Sequence, residues 1–106
     1  FKDENYTIYY NATTLIIVSG YEKALTVQAD CHIALGYMFL AAESLGIGSC
    51  WINAAVSVLN SKEGIALKEE LNLPEGHLIF GSGAFGYKAV NPAAPPRKED
   101  VVSYIR

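Results

Sequence analysis

The stretch Gly46–Asn53 combines the residue types that most favour contact with a ligand in this 106-residue sequence. Gly46 and Gly48 open it as a turn, and the large apolar side chains of Trp51 and Ile52 follow. Exposing such a pair on a bare surface is unfavourable. Either Trp51 caps the hydrophobic core, or a flat ligand lies on this apolar edge while backbone N–H groups of the loop reach its ring atoms. The spacing alone favours neither interpretation.

A glycine-rich string lies later in the chain. Gly81–Gly86 matches Gly-x-Gly-x-x-Gly, the pattern of dinucleotide-binding loops. That pattern requires a strand before it and a helix that opens at its end. A strand is predicted over His77–Phe85, but Tyr87 and a proline-rich tail follow instead of a helix. We therefore interpret the string as a glycine-rich strand against which another segment packs closely.

Arg97 and Lys98 follow the prolines of this tail. They form either a solvated charge pair or an anion clamp, because a guanidinium can bind a phosphate through two hydrogen bonds. Nucleophilic catalysis is not expected. Cys31 and His32 are adjacent, and adjacent side chains on a helix point away from each other.

The composition excludes other classes of function. A net charge of −3 without a large basic cluster argues against nucleic-acid binding. No apolar run reaches the ~18 residues of a membrane span, and the N-terminus carries no signal-peptide core, so a cytoplasmic protein is expected. Without a Cys-x-x-Cys pair, Cys31 and Cys50 are predicted to be buried free thiols rather than zinc ligands.

Apolar residues make up 51% of the chain and charged residues only 18%. This surplus predicts apolar surface that a partner subunit or further chain covers. Because the sequence begins with Phe1, we expect residues 1–106 to be part of a single domain within a longer polypeptide.

The predicted elements alternate between strands and helices, which favours an α+β or α/β fold. Asn60 and Glu63 are spaced as a capping box at the start of a helix. The run Leu15–Val18 predicts a strand covered on both faces. From Ile33 to Leu45 nearly every residue is apolar or small, so this helix should be covered on almost all sides. The predicted elements are a strand within 6–20, helices over 26–45 and 60–71, and strands over 77–85 and 101–105.

The string from Ala29 to Ile52 resembles the FMN-dependent nitroreductase family. The family's "Leu-Gly-x-Gly-Ser-x-Trp-Ile" motif is matched by Leu45–Ile52. The flanks are similar as well, since Asn11–Val18 resembles a family strand and the tail that ends at Arg97 resembles its "Gly-Tyr-Pro … Pro-x-Arg" segment. The resemblance covers nearly the whole chain.

The resemblance implies an α+β fold with a mostly antiparallel sheet flanked by helices. It also implies a homodimer, in which the long buried helix 26–45 packs against its symmetry mate and the C-terminal strand 101–105 is exchanged with the partner. FMN would lie at the subunit interface. Cys50, Trp51, Ile52 and Asn53 would cover one face of its isoalloxazine ring, with a backbone N–H near Asn53 approaching N5, and Arg97 would bind the phosphate.

The implied activity is a ping-pong reaction. NAD(P)H gives a hydride to flavin N5, and the flavin passes electrons to a nitroaromatic, a quinone or a similar acceptor. The protein contributes binding and orientation, with neither a catalytic side chain nor a metal ion, and small molecules rather than nucleic acid or membrane are its partners.

Some positions depart from the family pattern. Thr13 stands where the family often has Pro, Tyr37 where it often has Asn, and Pro95 where many members carry a cation, for which Lys98 is a candidate substitute. The family's Arg-Arg-Ser segment has no match, so these residues are expected to hold an incomplete site. A non-catalytic flavin-binding or interaction module and another flavin chemistry, such as dehalogenation or azoline oxidation, are the alternatives.

Overall fold

The computed structural model describes Tyr9 and residues 11–106. Two of its helices are short, and no helix or strand forms in residues 88–106. None of the helices in the described part of the chain has the length and apolar character that a bilayer span needs. The elements are β1 (Thr14–Tyr21), α1 (Val27–Ser44), β2 (Ile47–Trp51), α2 (Ala54–Leu59), a 3-10 turn (Lys62–Gly64), α3 (Ile65–Glu70) and β3 (His77–Tyr87).

The three strands form one antiparallel sheet in the order β1-β3-β2, so the last strand in the sequence is the central one. β1 runs along β3 from Thr14, opposite Phe85, to Tyr21, opposite His77. The register shifts between Val18 and Ser19, where β3 carries an extra residue in a β-bulge. Helices flank this antiparallel sheet, and the predicted α+β fold class is confirmed.

The glycines of β3 allow α1 to lie close to the sheet. A Cβ atom on Gly81 would lie 3.1 Å from Leu35 Cδ2, and one on Gly83 would lie 2.9 Å from Phe39 Cε1. Leu35 and Phe39 are four residues apart on α1 and therefore share one face of the helix. The interpretation of this string as a closely packed strand agrees with this geometry.

α1 is one residue shorter than the predicted helix at each end. Gly46 stands just beyond it with φ of +73°, the left-handed conformation that glycine adopts readily at a helix end. The face that bears Cys31 and Leu35 is buried against the sheet. The opposite face exposes large apolar side chains: Ile33, Tyr37 and Leu40. The described residues therefore cover the helix on one side, and cover on its other side stays a prediction.

The predicted helix over 60–71 forms over a shorter span, as the 3-10 turn Lys62–Gly64 followed by α3, Ile65–Glu70. Its predicted start at Asn60 is wrong. Asn60 instead ends α2, a helix that the sequence patterns did not indicate. Its side chain is bound to β3, because Nδ2 donates to Ile79 O at 2.7 Å and Oδ1 accepts from Ile79 N at 3.0 Å. The capping box with Glu63 does not form, since the amide of Asn60 is already engaged.

Other expectations about strands also need correction. The stretch 46–53 was expected to be a loop, but Ile47–Trp51 pairs with β3 as a strand. Among the described strands β1 is an edge strand of mostly half-buried residues, with Leu15 exposed, and the described residues do not cover it on both faces. Residues 101–105 are exposed and pair with no described strand. The predicted extension of β1 over 6–8 and 10 lies outside the described residues.

Candidate functional site

The end of β2 separates two neighbouring side chains. Trp51 is 55% exposed, whereas Ile52 is only 5% exposed and belongs to the core cluster with Ala55 and Leu59 of α2. Cys50 is exposed beside Trp51. The two sequence-based interpretations therefore apply to different residues. Ile52 caps the core, and Trp51 leaves a flat apolar ring at the surface.

The backbone at Ile52 is held by a buried serine of β3. Ile52 N donates to Ser82 O at 2.9 Å, and Ser82 Oγ donates to Ile52 O at 2.6 Å. Ser82 has no exposed surface. These two hydrogen bonds tether the chain where it leaves β2 for α2, and sequence reasoning missed this residue.

Trp51 also contacts α1. Its ring meets that of His32 edge-on, with the ring centroids 6.3 Å apart and the planes at 74°. His32 Nε2 donates to the carbonyl of Phe80 at 3.0 Å, because a carbonyl oxygen can only accept. Phe80 is the extra residue of the β-bulge. His32 thus ties α1 to β3 directly beside Trp51, a role that no sequence pattern indicated.

A groove of about 1060 Å³ lies alongside β2. Of the five predicted site residues, Cys50 is the one in its lining among the described residues. An ion pair stands at its rim, where Lys88 Nζ lies 3.0 and 3.1 Å from the two carboxylate oxygens of Glu43. Further lining comes from Gly48 and Ser49 of β2, from the end of β3 and the segment to Pro92, and from Tyr9 and residues 11–13.

Arg97 lies on the C-terminal arm, away from regular structure. It is exposed, and its Nη1 donates to Pro95 O at 3.1 Å. Within the described chain, no hydrogen bond or ion pair joins Arg97 to residues 50–53. The structure therefore places Cys50, Trp51, Ile52 and Asn53 at the end of β2 and shows no direct polar contact between them and Arg97.

The two cysteines are both free, but they differ in exposure. Burial raises the pKa of the Cys31 thiol, and the Asp30 carboxylate beside it raises that pKa further. Cys50 is exposed, so the expectation of two buried thiols is wrong for this residue. The described residues contain no cluster of three or more His, Cys, Asp or Glu residues that could hold a metal ion.

The model of the nitroreductase family matches residues 1–87. This chain belongs to the nitroreductase family. The resemblance that the string 29–52 indicated is thereby confirmed. The match spans all three strands and α1, which includes the edge formed by residues 50–53.

Solved relatives share this fold. A nitroreductase with bound FMN from Bacteroides fragilis has 37% identity and a TM-score of 0.88, over 99% of this chain and 57% of its own. A nitroreductase with bound FMN from Desulfitobacterium hafniense has 25% identity and a TM-score of 0.77, over 93% of this chain and 54% of its own.

A curated relative from Archaeoglobus fulgidus, named as a candidate NADH dehydrogenase/NAD(P)H nitroreductase, is 36% identical over 83 residues. That alignment covers 73% of this chain and 45% of the relative. The chain therefore spans about half the length of the relatives that it matches.

Proposed function

We propose that this chain forms one wall of an FMN site in an NAD(P)H oxidoreductase of the nitroreductase type. The observation that carries the proposal is the edge at the end of β2, where Trp51 and Cys50 are exposed beside a buried Ile52. The similarity to proteins solved with bound FMN supports the same cofactor.

The residues at this edge fit a flavin ring. Trp51 presents an aromatic surface of the kind that packs against planar ligands. Asn53 is exposed just beyond β2, and its backbone N–H donates no hydrogen bond to another described residue. A heteroaromatic cofactor has hydrogen-bond acceptors at its ring edge and an apolar ring face. The Asn53 N–H can donate to such an acceptor, and the Trp51 ring can pack against such a face.

When bound, FMN would supply hydride and electron transfer, with NAD(P)H as the reductant and a nitroaromatic, a quinone or a similar molecule as the acceptor. We assign the segment of residues 50–53 to the cover of one ring face, through its backbone and the exposed Trp51 ring, and the Asn53 N–H to a hydrogen bond with the ring. Arg97 is assigned to the phosphate, because its guanidinium suits bidentate phosphate binding. These residues bind and orient the cofactor, and none of them exchanges a proton with a substrate.

The exposed apolar face of α1 supports a homodimer in which a second copy covers Ile33, Tyr37 and Leu40. Patches of adjacent large apolar side chains commonly mark subunit interfaces. We include residues 101–105 in this interface as a strand added to the partner's sheet, since Val101 and Ile105 are exposed on an arm that pairs with no described strand. A cytoplasmic location is part of the same proposal.

Purification of the complete polypeptide tests the cofactor first. Flavin absorbance near ~450 nm is expected, a property of the cofactor itself, together with NAD(P)H oxidation in the presence of a quinone. Absence of bound flavin, and of flavin uptake on adding FMN, would overturn the proposal. FMN binding without turnover would instead indicate a non-catalytic flavin-binding module.

Arg97→Ala tests the phosphate contact. Hydrogen bonds to charged groups contribute roughly 1.5–3 kcal/mol, so the FMN dissociation constant should rise about ten- to hundredfold while the preference among acceptors is unchanged. Lys98→Ala is the matched control, because it removes an adjacent exposed cation and should have a smaller effect. Unchanged FMN affinity in Arg97→Ala would remove Arg97 from the site, and a larger effect of Lys98→Ala would assign the phosphate to Lys98.

A further inference from the structure

Ser82 stands out among the described residues as the one buried polar side chain. Its neighbours Gly81 and Gly83 and the nearby Ile79 are buried as well. A hydroxyl in such surroundings is unfavourable unless it is hydrogen-bonded. Its partner is the carbonyl oxygen of Ile52, 2.6 Å away, so the hydroxyl is used to hold one particular peptide group.

That peptide group joins Ile52 to Asn53, at the point where the chain changes from strand to helix. The ladder between β2 and β3 reaches as far as Trp51 opposite Gly83. Beyond it, the chain turns away toward α2, which begins at Ala54. A serine hydroxyl reaches farther from its strand than a backbone N–H does, so it can hold a carbonyl on a chain that has begun to diverge.

The direction of the Asn53 N–H follows from peptide geometry. The described peptide bonds are all trans, and in a planar trans peptide the C=O and the following N–H point in opposite directions. Because the Ile52 carbonyl points toward buried Ser82, the Asn53 N–H points away from it. Within the described residues this N–H has no acceptor, and Asn53 is exposed.

We propose that Ser82 is a positioning residue, whose hydroxyl fixes the Ile52–Asn53 peptide so that the Asn53 N–H is directed at the flavin ring. This role rests on the proposed FMN site and adds a residue that never touches the cofactor. The second hydrogen bond, from Ile52 N to Ser82 O, holds the preceding peptide, which joins Trp51 to Ile52. Because both the N–H and the C=O of Ile52 are bound to Ser82, rotation of the Ile52–Asn53 peptide is restrained.

Ser82→Ala removes the hydroxyl and leaves the backbone hydrogen bond. The Ile52 carbonyl loses its partner, the peptide can rotate, and its donor loses a fixed direction. A hydrogen bond contributes about 1 kcal/mol net, so we expect the FMN dissociation constant to rise about five- to tenfold. The midpoint potential of bound FMN should also shift, because a donor to the ring stabilises its oxidised and reduced forms unequally.

Asn60→Ala is the matched control. Asn60 also makes side-chain hydrogen bonds to β3, but to Ile79 and not to Ile52. It should lower stability to a similar extent while the FMN dissociation constant stays within about twofold of wild type, because both hydrogen bonds to the Ile52–Ser82 pair remain in place. Ser82→Cys keeps a weak donor at the same position and should give intermediate values for both quantities.

The experiment measures FMN affinity by flavin fluorescence and midpoint potential by spectroelectrochemistry, in the complete polypeptide. Unchanged affinity and potential in Ser82→Ala overturn the role of Ser82, and so does an equal change in Asn60→Ala. If Ser82→Ala does not fold, Ser82→Cys decides, and wild-type values in that variant overturn the role. A wild-type protein that takes up no FMN overturns the proposed function itself, which is a distinguishable result.

Discussion

Replacing Gly83 with alanine should destabilise the protein, because this glycine lets α1 approach β3. The added Cβ would lie 2.9 Å from Cε1 of Phe39 and 2.9 Å from Cε2 of Phe85. Ordinary contacts between carbon atoms are about 3.5–4.0 Å, so the methyl group would overlap two rings at once. Those rings are stacked, with centroids 5.7 Å apart, and neither can move without disturbing the other.

Overpacking of this kind costs about 1–3 kcal/mol, and we expect the free energy of unfolding to fall by this amount in Gly83→Ala. The assay is urea denaturation followed by circular dichroism, at one fixed protein concentration. Gly36→Ala is the matched control on α1, where a Cβ would meet nothing within 4 Å. That substitution should stabilise the protein by up to about 1 kcal/mol, because alanine favours a helix interior more than glycine does.

A double-mutant cycle identifies the cause. Phe39→Leu replaces the ring that the new methyl group would meet, so Gly83→Ala should be less destabilising in that background. Coupling energies between contacting residues are typically about 0.5–3 kcal/mol. A Gly83→Ala protein as stable as wild type, or an unchanged penalty in the Phe39→Leu background, would refute the packing argument.

Two further outcomes are expected from the surface and the thiols. Lys88→Ala should lower the free energy of unfolding by no more than about 1 kcal/mol, because exposed ion pairs contribute little, and the loss should shrink as salt is added. A loss that salt leaves unchanged would mean that Lys88 acts through the packing of its stem. An alkylating reagent should modify Cys50 before Cys31, which mass spectrometry of digested peptides can check; the reverse order would contradict the described burial. Because the pKa of Cys31 is raised in the folded protein, its contribution to stability is present below the ordinary thiol pKa and is lost as pH rises through the raised value. Urea denaturation across the alkaline range should show this loss in wild type and not in Cys31→Ala.

Features determined by nearby residues could be predicted from the sequence. α1 follows from a long run without proline and from Gly46, whose positive φ ends the helix at the expected place. β3 follows from its apolar run. The close approach of a packing partner to Gly81 and Gly83 follows from the glycines themselves.

Features determined by distant residues could not be predicted. The local pattern predicts that the Asn60 side chain caps a helix, but it binds Ile79, which lies 19 positions away. The stretch 46–53 has the pattern of a loop because Gly46 and Gly48 open it. Only pairing with β3 makes Ile47–Trp51 a strand. Local patterns carry no information about such pairing, since β structure depends on neighbours across the sheet.

In the candidate site, too, features determined by nearby residues could be predicted and features determined by distant residues could not. The edge formed by residues 50–53 could be found from its string of residues. Ser82 and His32 could not, because each acts through a single backbone carbonyl on another element. One signal was present for Ser82, a hydroxyl residue between two glycines in an otherwise apolar strand.

The central position of β3 has a consequence for how the protein is made. A ribosome synthesises β1 and β2 first, yet each of them pairs only with β3 among the described strands. Thr14 pairs with Phe85, 71 residues later in the chain, so the sheet cannot form until the residues of β3 have been synthesised. Contacts so distant in sequence slow folding and leave strand edges open to aggregation in the interval. Nascent chains that stop before His77 should therefore bind chaperones. α1 depends on local contacts and can form as it is synthesised.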